Sequence, residues 1–166
     1  MSSNVVMIHG YGFCFQENAV GIIPSKFYGF LEQHPHVKKK VMDKGSDFFE
    51  AVCKNRASKE MIAYEDCELK DYHLLDYQWD DTSCCGMAAL FVDIVNELKE
   101  IGLEVQWDDE NGNVVMLPTA APWEYSKKQK EITSSDHLSQ ILAECSMESG
   151  IVVNTDVDFV TAECWG

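Results

Sequence analysis

A chain of 166 residues, of which 46% are hydrophobic, has the usual size of one domain and enough apolar material to bury a core. Its formal net charge of −15 argues against direct binding to nucleic acid backbones or anionic membranes, because like charges repel. We therefore expect a single globular domain over residues 1–166 whose partners are basic proteins.

The apolar stretches are short, and the cysteines show no metal-binding spacing. The longest apolar run, Gly86 to Val92, is far below the roughly 20 residues that cross a bilayer, and no signal segment opens the chain. We expect a soluble, cytoplasmic protein with seven free thiols. No Cys-x-x-Cys, His-x-x-x-His or Gly-rich phosphate-binding spacing occurs, so we predict neither a metal nor a cofactor.

The first predicted element is the apolar run VVMIHGYGFCF near the start of the chain. Residues 5–8 and 13–15 have the composition of strands. Because glycine allows backbone angles that a Cβ atom forbids, Gly10 and Gly12 predict a bend between these two strands. The run therefore predicts two short strands joined by a turn.

Three helices are predicted next. Pro24 suits the first turn of a helix that ends before Pro35, a second helix follows, and Ser46 is expected to be the N-cap of a third. The residues that we expect to face inward in these helices are Phe27, Phe30, Leu31, Val37, Val41, Phe48, Phe49, Val52 and Cys53.

An acid-rich segment follows the helices. Residues 61–79 fit a period of two better than one of 3.6, which predicts a strand. Between Glu60 and Asp81 there are eight carboxylates and a single cation, Lys70. Such a cluster is either a solvated surface that keeps the protein dissolved or an anionic face that fits a basic groove on another protein. In the second interpretation, the partner-binding residues are Glu65, Asp66, Glu68, Asp71, Asp76, Asp80 and Asp81, with Trp79 as the aromatic anchor.

Two further helices and a closing strand region are predicted from local signals. The first helix begins at Thr82 or the next residue and ends at Gly102, and the second is capped by Ser134 or Ser135. Residues 151–164 predict one or two strands. Helices and strands mix without a regular βαβ rhythm. The predicted fold class is therefore α+β, with a mixed or antiparallel sheet packed against helices.

The sheet includes a predicted hairpin over residues 103–118. Its turn is Asn111-Gly112, because a two-residue type I′ turn requires positive φ angles at both central positions. This turn sets Trp107 opposite Met116 and puts the apolar side chains of both arms on one side of the ribbon. These side chains are Val105, Trp107, Val114 and Met116.

An alternative interpretation of the opening run is an enzyme. The HGYG sequence after a short apolar strand resembles the oxyanion loop of minimal α/β-hydrolases. The resemblance implies a nucleophile elbow, for which TSCCG offers Cys84, with His137 as base and the amides after His9 as oxyanion donors. The Gly-x-Ser-x-Gly pattern is absent, and the carboxylates of Asp80 and Asp81 oppose formation of a thiolate. A small cysteine-dependent hydrolase is therefore the alternative function, and no catalytic residue is favoured.

The charge pattern favours a binding function instead. We expect an acidic protein-binding module, an inhibitor of the immunity or counter-defence type, that docks on the basic surface of a nucleic-acid-binding protein. Negative charge speeds the encounter with such a partner, and desolvated aromatic side chains carry most of the affinity. Direct contact with nucleic acid or a membrane is not expected.

Overall fold

The computed structural model describes residues 5–16, 19–65, 86–118, 135–154 and 156–165, in which seven strands form two antiparallel sheets packed with five helices. The strands are β1 (Val5–Cys14), β2 (Gly21–Ile22), β3 (Ile62–Ala63), β4 (Glu104–Asp108), β5 (Gly112–Pro118), β6 (Ile151–Val152) and β7 (Asp158–Trp165). The helices are α1 (Pro24–Gln33), α2 (Pro35–Lys44), α3 (Ser46–Lys54), α4 (Gly86–Lys99) and α5 (Ser135–Ser149). The predicted α+β class and the hairpin of β4 and β5 are confirmed.

Strand β1 lies inside the larger sheet, whose order is β4-β5-β1-β7. It pairs with β5 along its second half and with β7 along most of its length. The predicted bend at Gly10 and Gly12 is wrong, because both glycines lie within the strand. A Cβ atom on Gly12 would overlap the carbonyl oxygen of Val115 and lie 2.7 Å from the Cα atom of Met116. This glycine therefore permits the close approach of β5 rather than a turn.

The hairpin of β4 and β5 has a three-residue turn in place of the predicted two-residue turn. Asp108 is opposite Gly112, whose φ of +78° favours glycine, and Trp107 is opposite Asn113. The predicted pairing of Trp107 with Met116 is therefore wrong. In the observed register, Met116 lies on the opposite face of the ribbon from Trp107.

The side chain of Asp108 explains this register. It is 4% exposed, and its two carboxylate oxygens accept the N–H groups of Asn111 and Glu163, each at 2.8 Å. The N–H group of Asp109 also donates to the carbonyl oxygen of Glu163 at 3.0 Å. The hydrogen bond from Glu163, followed by that from Asn111, lowers the pKa of Asp108, although burial acts in the opposite direction. Since the turn of the hairpin reaches β7, the sheet curls until its two edge strands meet at this point.

Both faces of the larger sheet carry buried apolar side chains. On one face, Phe13 and Val115 join the main core, where the ring of Phe13 meets that of Phe91 in α4 edge-on, with 6.3 Å between centroids. On the other face, Met116 and Ala162 belong to a smaller buried cluster. The apolar residues of the hairpin are therefore divided between two clusters, which the predicted single apolar side did not anticipate.

The first three helices follow the local signals closely. Helices α1 and α2 begin at Pro24 and Pro35, where proline loses no hydrogen bond because the first-turn amides have no partner within the helix. Ser46 is already inside α3 and the N-cap position is Gly45, so the predicted capping role of Ser46 is wrong. Of the predicted inward residues, Phe27, Phe30, Leu31, Val37, Val41, Phe48 and Val52 are buried, whereas Phe49 and Cys53 are half-buried.

The side chain of Asn96 stabilises the connection between helix α4 and strand β4. The side-chain amide of Asn96 donates to the carbonyl oxygen of Leu103, and its side-chain oxygen accepts the N–H group of Leu103, both at 2.9 Å. Gly102, the predicted end of the helix, has a φ of +72° in this connection. The predicted start of α4, at Thr82 or Ser83, lies outside the described residues, and so does Ser134. Ser135, the other predicted cap of α5, is the first described residue of that helix.

The smaller sheet, of order β3-β2-β6, has strands of two residues each. Its residues Ile22 and Ile151 are fully buried in the main core. Of the strand predicted over residues 61–79, Ile62–Ala63 forms a strand, and the part from residue 66 onward is outside the described ranges. Among the helices described, none is both long enough and apolar enough to traverse a bilayer.

Candidate protein-binding face

Residues of β1 and β7 that point to one side of the larger sheet form a surface that we call the β1–β7 face. It consists of Met7, His9 and Tyr11 and of the residues paired with them, Glu163, Thr161 and Phe159. Met7 is 53% exposed and Phe159 is 52% exposed. Large apolar side chains that stay exposed on the same side of a sheet are available for contact with a partner, so this face is a candidate binding site.

The aromatic side chains of the β1–β7 face are held in place by one another. The imidazole of His9 stacks on the ring of Phe159, with 6.2 Å between centroids and 8° between planes. Tyr11 meets the same ring edge-on at 5.5 Å. His9 Nδ1 is also 2.8 Å from the hydroxyl oxygen of Thr161. Because these contacts order the side chains in the free protein, binding has less conformational entropy to remove.

Carboxylates accompany this face, and residues 100–118 and 131–166 contain no Lys or Arg. Asp158 begins β7 and is exposed. Trp107 in the hairpin is 41% exposed, and its indole N–H donates to a carboxylate oxygen of Asp109 at 3.1 Å. The backbone of Asp109 bonds to β7, so the hairpin turn extends the anionic surface to the edge of the β1–β7 face.

The positive charges of the protein are concentrated in another part of the chain. Eight of the 13 Lys and Arg residues, but only four of the 28 Asp and Glu residues, fall in residues 26–59, which contain α1, α2 and α3. Lys38 there is paired with Glu32 at 2.7 Å. The net charge of −15 therefore understates the negative charge of the remaining chain, to which the larger sheet belongs.

The partner-binding residues predicted from the acid-rich segment lie mostly beyond the ranges that the structure describes. Glu65 follows β3 and is exposed. The other predicted residues, all outside the described ranges, are Asp66, Glu68, Asp71, Asp76, Trp79, Asp80 and Asp81. Their role in binding stays a prediction.

The β1–β7 face was not predicted from the sequence, although part of the alternating pattern that indicates it is present. Met7 and Tyr11 share a side in a period of two, and so do Phe159 and Glu163. The bend predicted at Gly10 interrupted the first series. Periodicity also shows which residues share a side of a strand but not whether another element covers that side.

His9 and His137, two residues of the alternative hydrolase, lie on separate elements. His9 and the glycines after it are in β1, and Gly10 to Gly12 have a paired strand on each side, so they do not form the loop that the resemblance implied. His137 is exposed on α5, where it lines an open groove of about 360 Å³ together with the ion pair of Lys99 and Glu144. Cys84 is outside the described residues.

Within the described ranges, no group of three or more His, Cys, Asp or Glu side chains has the arrangement of a metal site. His34 and His36 instead flank the carboxylate of Glu97, with distances from Nδ1 to oxygen of 3.8 and 3.9 Å. These distances exceed those of a direct hydrogen bond.

Comparisons with known proteins identify no family for this chain. No protein-family model, no curated protein and no solved structure matches it.

The thiols give a test of the hydrolase alternative. Burial raises the pKa of Cys145 to about 11, and partial burial together with the charge of Asp108 raises the pKa of Cys14. Near pH 6 both thiols are protonated, so we expect them to react only slowly with iodoacetamide. Mass spectrometry of peptides after brief alkylation measures this. Rapid labelling of Cys84 would favour the hydrolase, whereas rapid labelling of Cys14 or Cys145 would contradict the prediction.

Proposed function

We propose that this protein is an acidic protein-binding module that docks on the basic surface of a nucleic-acid-binding partner and inhibits it, in the manner of immunity or counter-defence proteins. The observation that carries the proposal is the combination of two exposed apolar anchors, Met7 and Phe159, with sheet segments that contain carboxylates and no cation. Apolar anchors supply affinity once they are desolvated, and carboxylates select basic partners and speed their approach.

The charge of the face supports a nucleic-acid-binding partner. Proteins that bind nucleic acid present grooves of Lys and Arg that neutralise phosphates. An anionic surface with ordered apolar anchors competes for such a groove. The carboxylates from Glu65 to Asp81 belong to this proposal as a second anionic segment, with Trp79 as its anchor. We place the protein in the cytoplasm, where unpaired thiols such as Cys14 and Cys145 persist.

Binding to the purified partner is expected to depend on the β1–β7 face and on the carboxylates beside it. The partner is captured from native extract at low salt, identified, purified and titrated against the protein by calorimetry. Phe159→Ala removes an exposed aromatic anchor and is expected to weaken binding about tenfold or more. The double change Asp109→Asn and Asp158→Asn removes two charges and is expected to weaken binding several-fold, mainly through a slower association rate.

Two control variants separate the β1–β7 face from general effects. Met42→Ala truncates a side chain of α2 that is 45% exposed, and Asp43→Asn with Glu50→Gln removes two exposed charges from α2 and α3. We expect both controls to bind like the wild type. The proposal fails if the controls weaken binding as much as the face variants, or if the affinity does not fall with added salt.

A further inference from the structure

Strand β7 is an edge of the larger sheet. The hydrogen bonds of one residue, Glu163, show in which direction each of its backbone groups points. In an antiparallel pair, the N–H and C=O groups of one residue point to the same side, and successive residues alternate. The N–H group of Glu163 donates to Asp108, and its carbonyl oxygen accepts from Asp109, on the side away from β1. By the same alternation, the backbone groups of Thr161 and Phe159 also point away from β1.

The outward edge of β7 is open between Phe159 and Thr161 within the part of the chain that the structure describes. The N–H group of Phe159 is occupied by the carboxylate of its neighbour Asp158, at 2.8 Å. No described strand pairs with β7 on this side, so the carbonyl oxygen of Phe159 and both backbone groups of Thr161 face outward. The hydroxyl of Thr161 is engaged with His9.

Edge strands in natural proteins are commonly protected by Lys, Pro or a bulge. The sequence of β7, DFVTAECW, contains neither Lys nor Pro, and its register with β1 is continuous. Its charges are carboxylates at its two ends, Asp158 and Glu163, and the exposed Asp156 precedes it. This edge therefore repels acidic strands but has nothing that repels a basic one.

We propose that the partner adds an extended basic segment to the β7 edge as an extra strand. The inference rests on the proposed function and specifies how the partner is held. Main-chain hydrogen bonds to Thr161 and Phe159 supply affinity, and alternate side chains of the added strand supply specificity. On one side these side chains lie next to the exposed ring of Phe159, and Lys or Arg side chains reach Asp156 and Asp158.

The test uses a synthetic capped peptide of alternating lysine and valine, with a fully N-methylated form of the same peptide as its control. Both peptides carry the same charge, but the N-methylated form has no amide to donate to β7. We expect the parent peptide to bind at least about tenfold more tightly and to slow hydrogen exchange of the Thr161 amide. The exchange of the Val160 amide, which faces β1, is expected to change little.

A pair of variants provides the second arm of the test. Thr161→Pro removes the outward N–H group, and proline is tolerated where an edge amide faces solvent. Thr161→Val removes the same hydroxyl but keeps the amide. We expect the proline variant to bind the parent peptide about tenfold more weakly than the valine variant. If the proline variant does not fold, the exchange measurement on the wild type decides.

The outcomes distinguish this inference from the proposed function. Equal affinity for the two peptides, with unchanged exchange at Thr161, overturns strand addition but leaves charge-based docking in place. Failure of the wild type to bind either peptide at low salt overturns both. Tighter binding of the parent peptide with protection of Thr161 supports both.

Discussion

Gly12→Ala is expected to destabilise the protein by roughly 3 kcal/mol or more. The new Cβ atom would overlap the carbonyl oxygen of Val115 and lie 2.7 Å from the Cα atom of Met116. Both neighbours are backbone atoms, so no side-chain rotation relieves the contact. Either β5 moves away from β1 or β1 leaves its place between two strands.

Thermal and urea denaturation measure this effect, and Gly29→Ala is the matched control. Gly29 lies within α1, and a Cβ atom there would meet no atom within 4 Å. Because alanine favours the helix over glycine, the control is expected to raise the free energy of unfolding by about 0.5–1 kcal/mol. A Gly12→Ala variant that is as stable as the wild type would show that β1 and β5 do not pack as closely as the structure places them.

The same glycine shows why part of the fold could not be predicted from the sequence. A glycine in an apolar run signals a bend when only its neighbours in sequence are considered. At Gly12 the deciding atoms belong to Val115 and Met116, about a hundred residues further along the chain. In contrast, Pro24 acts within its own helical turn and Pro35 follows the last turn of the same helix, so the start of α1 and its end before Pro35 were predicted correctly.

The predicted register of the hairpin was wrong for a related reason. Asn111-Gly112 is a strong local signal for a two-residue turn, and the hairpin itself was predicted correctly. Its register, however, is set by the carboxylate of Asp108, which binds the amide of Glu163 in a distant strand. The local preference for a two-residue turn does not outweigh the two charge-assisted hydrogen bonds that the buried carboxylate of Asp108 accepts.

The proposed role of the β1–β7 face combines features that the sequence predicts and features that it does not. That acidic residues dominate the chain outside residues 26–59 is a property of the sequence alone. That Phe159 stays exposed, while the equally apolar Phe13 is buried against Phe91, depends on where α4 crosses the sheet. The anionic character of the proposed partner site was therefore accessible from the sequence, whereas the position of its exposed apolar side chains required the assembled sheet.

Asp108→Asn is the second change with a large expected effect, a loss of about 2 kcal/mol in the free energy of unfolding at neutral pH. An asparagine side chain offers one oxygen and one NH₂ group. If the oxygen accepts from Glu163, the NH₂ group faces the N–H group of Asn111, and donor opposes donor. Asp109→Asn is the control, because Asp109 is exposed and asparagine keeps an oxygen for the indole of Trp107. We expect that control to change stability by less than about 0.5 kcal/mol.

The pH dependence of the stability difference between the wild type and Asp108→Asn tests whether the negative charge of Asp108 causes it. The hydrogen bond from Glu163 lowers the pKa of folded Asp108, whereas the unfolded carboxyl titrates near its ordinary value of about 3.9. Its contribution to stability is therefore fully present above about pH 4 and is lost as the pH falls through the lower folded value. Urea denaturation at successive pH values should show a constant gap between the wild type and Asp108→Asn near neutrality, and a narrowing gap in acid. A gap that stays constant into strong acid would mean that the negative charge of Asp108 does not hold the hairpin turn against β7.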